Sequence, residues 1–169
     1  VVGTELTPYP AIFCKLDDLL GHVMGRCIGQ EQVSLLNCRS YDESGAVRQD
    51  IPVGSIICYE SVYGEYCTEY VRKGAQALVV ITNDAWWGNT PGYKQHLSYS
   101  SLRAIETRRD IARCANTGIS CFIDQTGRIL QQSDWWKPQY LAGYVNLNDK
   151  ETFFVSHGDV TGRICTLMF

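Results

Sequence analysis

Nothing in these 169 residues approaches the roughly 20 consecutive apolar positions that a bilayer-crossing helix needs, and no signal-peptide pattern opens the chain. Charge of either sign is modest and nearly balanced. The 15 Lys and Arg against 18 Asp and Glu leave a net charge of -3, which gives no reason to expect nucleic acid as a partner. No CxxC pair occurs among the 8 cysteines, so their spacing argues for neither zinc nor a disulfide framework, and no metal or cofactor is expected. Internal repeats and low-complexity linkers are absent as well. What remains is one globular domain, whose 45% hydrophobic content suffices for a sizeable core. The piece is expected to be soluble. Its abrupt start at Val1-Val2-Gly3 and its stop inside Ile164-Cys165-Thr166-Leu167-Met168-Phe169 suggest that it is cut from something longer.

Cys58 is the most informative position. It closes the apolar run Pro52-Val53-Gly54-Ser55-Ile56-Ile57, which is short, β-branched and bounded by Pro52 and Gly54, and which predicts a strand buried on both faces of an α/β core. A thiol there stands at the strand's C-terminal end, where such folds place their sites. Val62, Tyr66, Tyr70 and Val71 then share one helical face, with Ser61 as N-cap and Gly74 as the stop. The positive end of that helix would favour thiolate. On position alone a buried, inert cysteine is the commoner outcome, because free Cys is among the most buried residue types.

Elsewhere, Ile12, Phe13, Leu16, Leu19 and Leu20 predict a helix over 10–20, and residues 23–28 and 33–41 read as strands. Asp42-Glu43-Ser44-Gly45 has turn chemistry. Ala77-Leu78-Val79-Val80-Ile81-Thr82 predicts a second buried strand, so that strand, helix and strand make one βαβ crossover with parallel pairing. The loop over 83–93 then begins beside Cys58. A helix over 95–109 follows, with Leu97, Leu102 and Ile105 inward and Arg103, Glu106, Arg108 and Arg109 mostly on solvated or salt-bridged faces. Segments 111–115, 119–124 and 128–132 read as strands joined by tight turns, and 141–147 as one more. Most cysteines, including Cys114 and Cys121, read as small core residues.

In order along the chain stand Ile57-Cys58-Tyr59-Glu60, Thr82-Asn83-Asp84-Ala85-Trp86-Trp87-Gly88, Gln95-His96, Arg103-Ala104-Ile105-Glu106, Arg109 and Asn116-Thr117-Gly118. Each alone is weak. The ordered set, over residues 54–124, resembles the nitrilase-type domain of the apolipoprotein N-acyltransferase family. Nitrilase-superfamily amidases share the Cys-aromatic-acid element; the Asn-Asp-Ala-Trp loop followed by Gln-His favours the acyltransferases. The resemblance implies an α-β-β-α sandwich, here an incomplete C-terminal portion forming one partial domain over 1–169. It also implies a place on the periplasmic face of the bacterial inner membrane, which the protein reaches through regions absent from this chain. The implied reaction moves a fatty acyl chain from a phospholipid to the amino group of a lipoprotein's N-terminal diacylglyceryl-cysteine, through a thioester. Cys58 is then the nucleophile, and Glu5, Tyr59, Glu60 and Trp86 are its surroundings.

Such enzymes use a glutamate as base and a lysine to stabilise the oxyanion. Glu5 with Pro8 matches the family's Glu-x-x-Pro, although Val2 and Thr4 stand where Pro and Gly are usual. Counting back, the lysine would precede Val1 and the base lies further upstream; neither Lys15 nor any other lysine has the right context. The resemblance therefore implies an isolated chain that is inactive and whose uncovered sheet invites a homodimer or a separately supplied N-terminal portion. Strand alternation turns Tyr59 away from Cys58 and into packing. Glu60 fits the active-site surroundings or a helix-start carboxylate. Two adjacent indoles cannot easily both point inward, so Trp86 or Trp87 is expected to line the acyl cleft or touch lipid, while His96 reads as structural. Two other readings stay open: a soluble amidase in which Cys58 attacks a carbon–nitrogen bond, and a non-catalytic α/β interaction module.

Overall fold

Among the described residues, the β-branched runs of the sequence line up, in chain order, as six strands of one mixed sheet. The computed structural model describes residues 32–168 together with Ile12, Lys15 and Leu19, which are helical. The remainder of the helix expected over 10–20, the strand expected over 23–28 and Glu5 lie outside the described residues.

Strand β1 (Leu35–Tyr41) pairs antiparallel with β2 (Val47–Ile57) across the Asp42–Gly45 turn, whose Asp42 carboxylate accepts the Ser44 and Ala46 amides. Helix α1 (Gly64–Arg72) leads to β3 (Ala77–Asn83), parallel to β2, and α2 (Gly92–Thr107) leads to β4 (Ile111–Asn116), parallel to β3. The chain thus makes two successive βαβ crossovers. Antiparallel β5 (Cys121–Ile123) and β6 (Ile129–Gln132) complete the sheet, followed by the short α3 (Phe153–His157) and by α4 (Val160–Met168).

Helices α1, α2 and α3 touch one another and cover one face of the sheet. The core sits between them, with Ile56, Leu78, Val80, Ile111 and Ile123 fully buried against Cys67, Val71, Ala104 and Val155. Alternation sends Ser55, Ile57, Val79, Ile81 and Cys114 to the other face, where Ile57 and Ile81 stay 42% and 47% exposed. This corrects the expectation of strands buried on both faces, because α1, α2 and α3 all lie on one side.

Pro52 and Gly54 also do not bound the strand. The Pro52 carbonyl points toward β3, where Gln76 N–H reaches it, and pairing with β3 starts only at Val53. The missing proline N–H therefore forfeits no ladder bond. Gly54 lets α1 approach, since a Cβ there would meet Tyr70 Cβ at 2.8 Å and Leu78 Cδ2 at 2.7 Å.

Residues 141–147 form no strand. Their backbone is satisfied differently, the Asn146 N–H donating to the Asp110 carboxylate at 2.6 Å while Gly143 lies on the Phe122 ring. Helix α2 buries Tyr93, His96, Leu97, Ser100, Arg103, Ala104 and Thr107, and leaves Leu102 and Ile105 exposed. Its inward stripe has helical spacing but is half polar, so apolar periodicity alone points to the wrong face. Arg103 and Arg109 are buried rather than solvated. Arg109 gives its protons to the carbonyls of Ala75, Thr107, Arg108 and Lys150, and Arg103 pairs with Glu106. Cys67 and Cys121 are core residues as expected, whereas Cys38, Cys114 and Cys165 are exposed.

Candidate functional site

Cys58 follows the last residue of β2 and adopts φ 52°, a left-handed conformation that is uncommon outside glycine. The reversal turns the chain sharply from strand into a 3-10 turn, Cys58–Val62, and leaves the thiol half-buried at the sheet's C-terminal end. The expected α-helix does not start here. Helix α1 begins only at Gly64 with Tyr63 at its N-cap, so Cys58 is not on a helix N-terminus and the dipole argument for its thiolate lapses.

Ser61, expected as that cap, instead donates its hydroxyl to the Cys58 carbonyl at 2.9 Å. His96 Nε2 lies 3.1 Å from the same carbonyl and 3.2 Å from Ser61 Oγ. The other ring nitrogen, Nδ1, is 2.8 Å from Asp84 Oδ1, and the second Asp84 oxygen takes Arg113 Nη2 at 2.8 Å. Arg113 also donates to Ser100 Oγ at 2.9 Å. Asp84, His96 and Arg113 are all nearly inaccessible to water. Burial opposes a charge on Asp84, yet the His96 hydrogen bond and the Arg113 guanidinium outweigh it and hold the carboxyl below its usual range. A buried polar network thus underpins the backbone of the cysteine turn.

The turn is fixed from two further sides. Glu60 Oε2 accepts the Ile57 N–H at 2.7 Å, and Arg103 Nη1 donates to the carbonyl of Val62 at 2.8 Å. At the thiol itself, Thr82 Oγ1 stands 3.3 Å from Cys58 Sγ. The register explains this: Ile57 pairs with Ile81, so the next residue of each parallel strand comes side by side.

The structure brings Cys58, Tyr59 and Glu60 together on one turn, with the Tyr59 ring 6.0 Å from His96 and edge-on to Tyr63. Tyr59 remains 36% exposed, so the expected core packing is not realised. Trp86, on the 3-10 turn Asp84–Trp87 after β3, is 77% exposed, while Trp87 folds back over Gly92 toward His96. The two indoles thus part, Trp86 outward and Trp87 half-buried. The Asn116-Thr117-Gly118 motif finds its reason in packing, because any side chain at Gly118 would collide with the Asp84 carboxylate.

Sequence reading gave no role to Thr82, Asp84 or Arg113. Strand register was the available signal for Thr82. For Arg113, whose partners lie 29 and 13 residues away, no local signal exists. Among the described residues no three His, Cys, Asp or Glu side chains converge as metal ligands would. A groove of about 880 Å³ between α1, α2 and α4, bridged by the Arg163–Glu65 ion pair, borders the far end of the cysteine turn at Val62.

Residues 30–152 match the carbon-nitrogen hydrolase family, and the chain belongs to that family. It is 41% identical over 117 residues to the apolipoprotein N-acyltransferase of Chlorobaculum tepidum, covering 69% of this chain and 22% of that protein. With the Thermotoga maritima apolipoprotein N-acyltransferase it shares 34% identity over 163 residues, 92% of this chain and 29% of the relative. The chain therefore spans about a quarter of the length of these relatives. Among solved structures, an amidase of Nesterenkonia sp. AN1 superposes with a TM-score of 0.53 at 16% identity, over 83% of this chain and 49% of the amidase. That structure is of a mutant amidase with the acetamide moiety of fluoroacetamide added covalently at its active-site cysteine. The fold is the α/β nitrilase-like sandwich implied by the motifs.

Proposed function

We propose that this carbon-nitrogen hydrolase family member is the thiol-bearing part of an N-acyltransferase that moves a fatty acyl chain from a phospholipid to the N-terminal diacylglyceryl-cysteine of a lipoprotein. The observation that carries the reading is Cys58 itself: a half-buried thiol on a left-handed residue at the end of a parallel strand, its carbonyl held by the Ser61 hydroxyl with His96 Nε2 3.1 Å away. A nucleophile on a sharp strand-to-turn reversal projects from the sheet edge, where a substrate carbonyl can reach it. Relatedness to apolipoprotein N-acyltransferases supplies the substrate class.

In the first half-reaction the Cys58 thiolate attacks the phospholipid ester carbonyl. The carbon–oxygen bond breaks, the lysophospholipid alkoxide leaves with a proton from the general acid, and a thioester remains. The lipoprotein amine then attacks the thioester and gives a proton to the base, an amide forms, and the sulfur departs as thiolate. The base glutamate and the oxyanion lysine of this scheme are assigned to residues outside the chain. Glu60 serves the site by holding the Ile57 amide, and Tyr59 and exposed Trp86 offer aromatic surface to an acyl chain beside the thiol. The protein acts at the periplasmic face of the inner membrane. No helix among the described residues is long and apolar enough to cross a membrane.

The test is intact-mass analysis of the full-length protein in phospholipid vesicles. A hydroxylamine-labile acyl adduct is expected on Cys58, and Cys58→Ala is expected to lower lipopeptide N-acylation by at least about three orders of magnitude. Acylation persisting in Cys58→Ala would refute the reading, and turnover of small amides without acyl transfer would replace it by an amidase.

A further inference from the structure

We propose that Thr82 is a positioning residue for the Cys58 sulfur, its hydroxyl proton turning from the Asp84 carboxylate to the sulfur whenever the sulfur becomes anionic. The inference rests on Cys58 being the nucleophile. Thr82 is the sixth residue of β3, only 6% exposed, and its Oγ1 lies 3.3 Å from Cys58 Sγ and 3.1 Å from Asp84 Oδ1. One hydroxyl proton faces two acceptors. While sulfur is a thiol it is a poor acceptor, so the Thr82 proton goes to the carboxylate and the S–H can donate to Thr82 Oγ1. A thiolate is a far better acceptor, and an ionised partner roughly doubles the strength of a hydrogen bond.

The rotation is inexpensive because Asp84 does not depend on Thr82. Its two oxygens keep His96 Nδ1 and Arg113 Nη2, each at 2.8 Å. No covalent bond changes at Thr82. The thiol proton leaves to the base, the Thr82 proton stays on its own oxygen, and only the O–H direction alters. The same donor serves twice, first when the thiolate forms and again when the thioester's tetrahedral adduct collapses and the carbon–sulfur electron pair returns to sulfur. Around this pair, Asp84 on the following turn accepts from Thr82, His96 on α2 and Arg113 on β4 hold Asp84, and Tyr59 and Glu60 lie on the cysteine's own turn.

Peptide-resolved iodoacetamide labelling of the 169-residue chain across pH tests the role, with exposed Cys38 and Cys165 as internal references. Thr82→Val keeps the shape and loses the donor. The Cys58 alkylation curve is expected to move to higher pH, with the neutral-pH rate falling about tenfold, while Thr82→Ser retains the parent curve. Should the valine variant fail to fold, Thr82→Ala removes the hydroxyl without crowding. A Thr82→Val or Thr82→Ala curve that superimposes on the parent overturns the proposal, as does an equal displacement in Thr82→Ser, which would mean packing alone. The two readings fail separately. If full-length Cys58→Ala still transfers acyl groups, the nucleophile is misassigned; if it is inactive while the hydroxyl-free variants alkylate like the parent, only the Thr82 role falls.

Discussion

Arg113 and Asp84 meet at 2.8 Å with both side chains sealed from water, and each is the other's main charge partner. Breaking such a pair strands a buried charge, which costs about 3–5 kcal/mol. Arg113→Met is therefore expected to lower the urea-unfolding free energy by that amount at neutral pH, and a loss below about 1 kcal/mol would show the network to be dispensable. The pH dependence follows from the Asp84 carboxyl, which is held below its ordinary value of 3.8. A depressed carboxyl contributes stability that is present above the unfolded value and lost as pH falls through the folded one. The difference between Arg113→Met and the parent should accordingly shrink as acid protonates Asp84. Burial raises the Cys67 and Cys121 thiols to about 12 and about 11, so neither should compete with Cys58 for alkylation near neutrality.

At the scale of elements, Gly54 sets how closely α1 lies on β2. An added Cβ would fall 2.8 Å from Tyr70 Cβ and 2.7 Å from Leu78 Cδ2, too close to both a helix and a neighbouring strand. Gly54→Ala is expected to cost about 1–3 kcal/mol in chemical denaturation, as overpacking of a filled core does. An unchanged midpoint would mean that α1 can slide. The crossover of β2, α1 and β3 was legible in the sequence because its strands are β-branched and bounded by turn residues. The inward face of α2 was not. His96, Ser100 and Arg103 look like a surface stripe until their partners are in place around them, the Cys58 carbonyl for His96, Arg113 for Ser100, and Glu106 with the Ser61 carbonyl for Arg103. The segment 141–147 misled for the converse reason: its alternation is strand-like, but its Asn146 amide is claimed by the Asp110 side chain instead of a neighbouring strand.

For the molecule as a whole, helices α1, α2 and α3 cover one sheet face, while Ile57, Ile81 and Cys114 stay exposed on the other. Apolar surface of that kind associates. Sedimentation velocity on the 169-residue chain is expected to show self-association that Ile81→Lys reduces. A parent chain that stays monomeric at tens of micromolar, roughly the range in which exposed apolar faces aggregate, would contradict this.

Local periodicity and residue order were enough to place the parallel strands, Cys58 at the end of one of them, and the ordered motifs of the carbon-nitrogen hydrolase family. It took the folded chain to put Cys58 on a left-handed turn instead of a helix N-terminus, Thr82 against its sulfur, and Asp84, His96 and Arg113 buried beneath it. Those facts depend on register and on contacts between residues far apart in the chain. A polar side chain looks the same in the sequence whether water or another buried charge completes it.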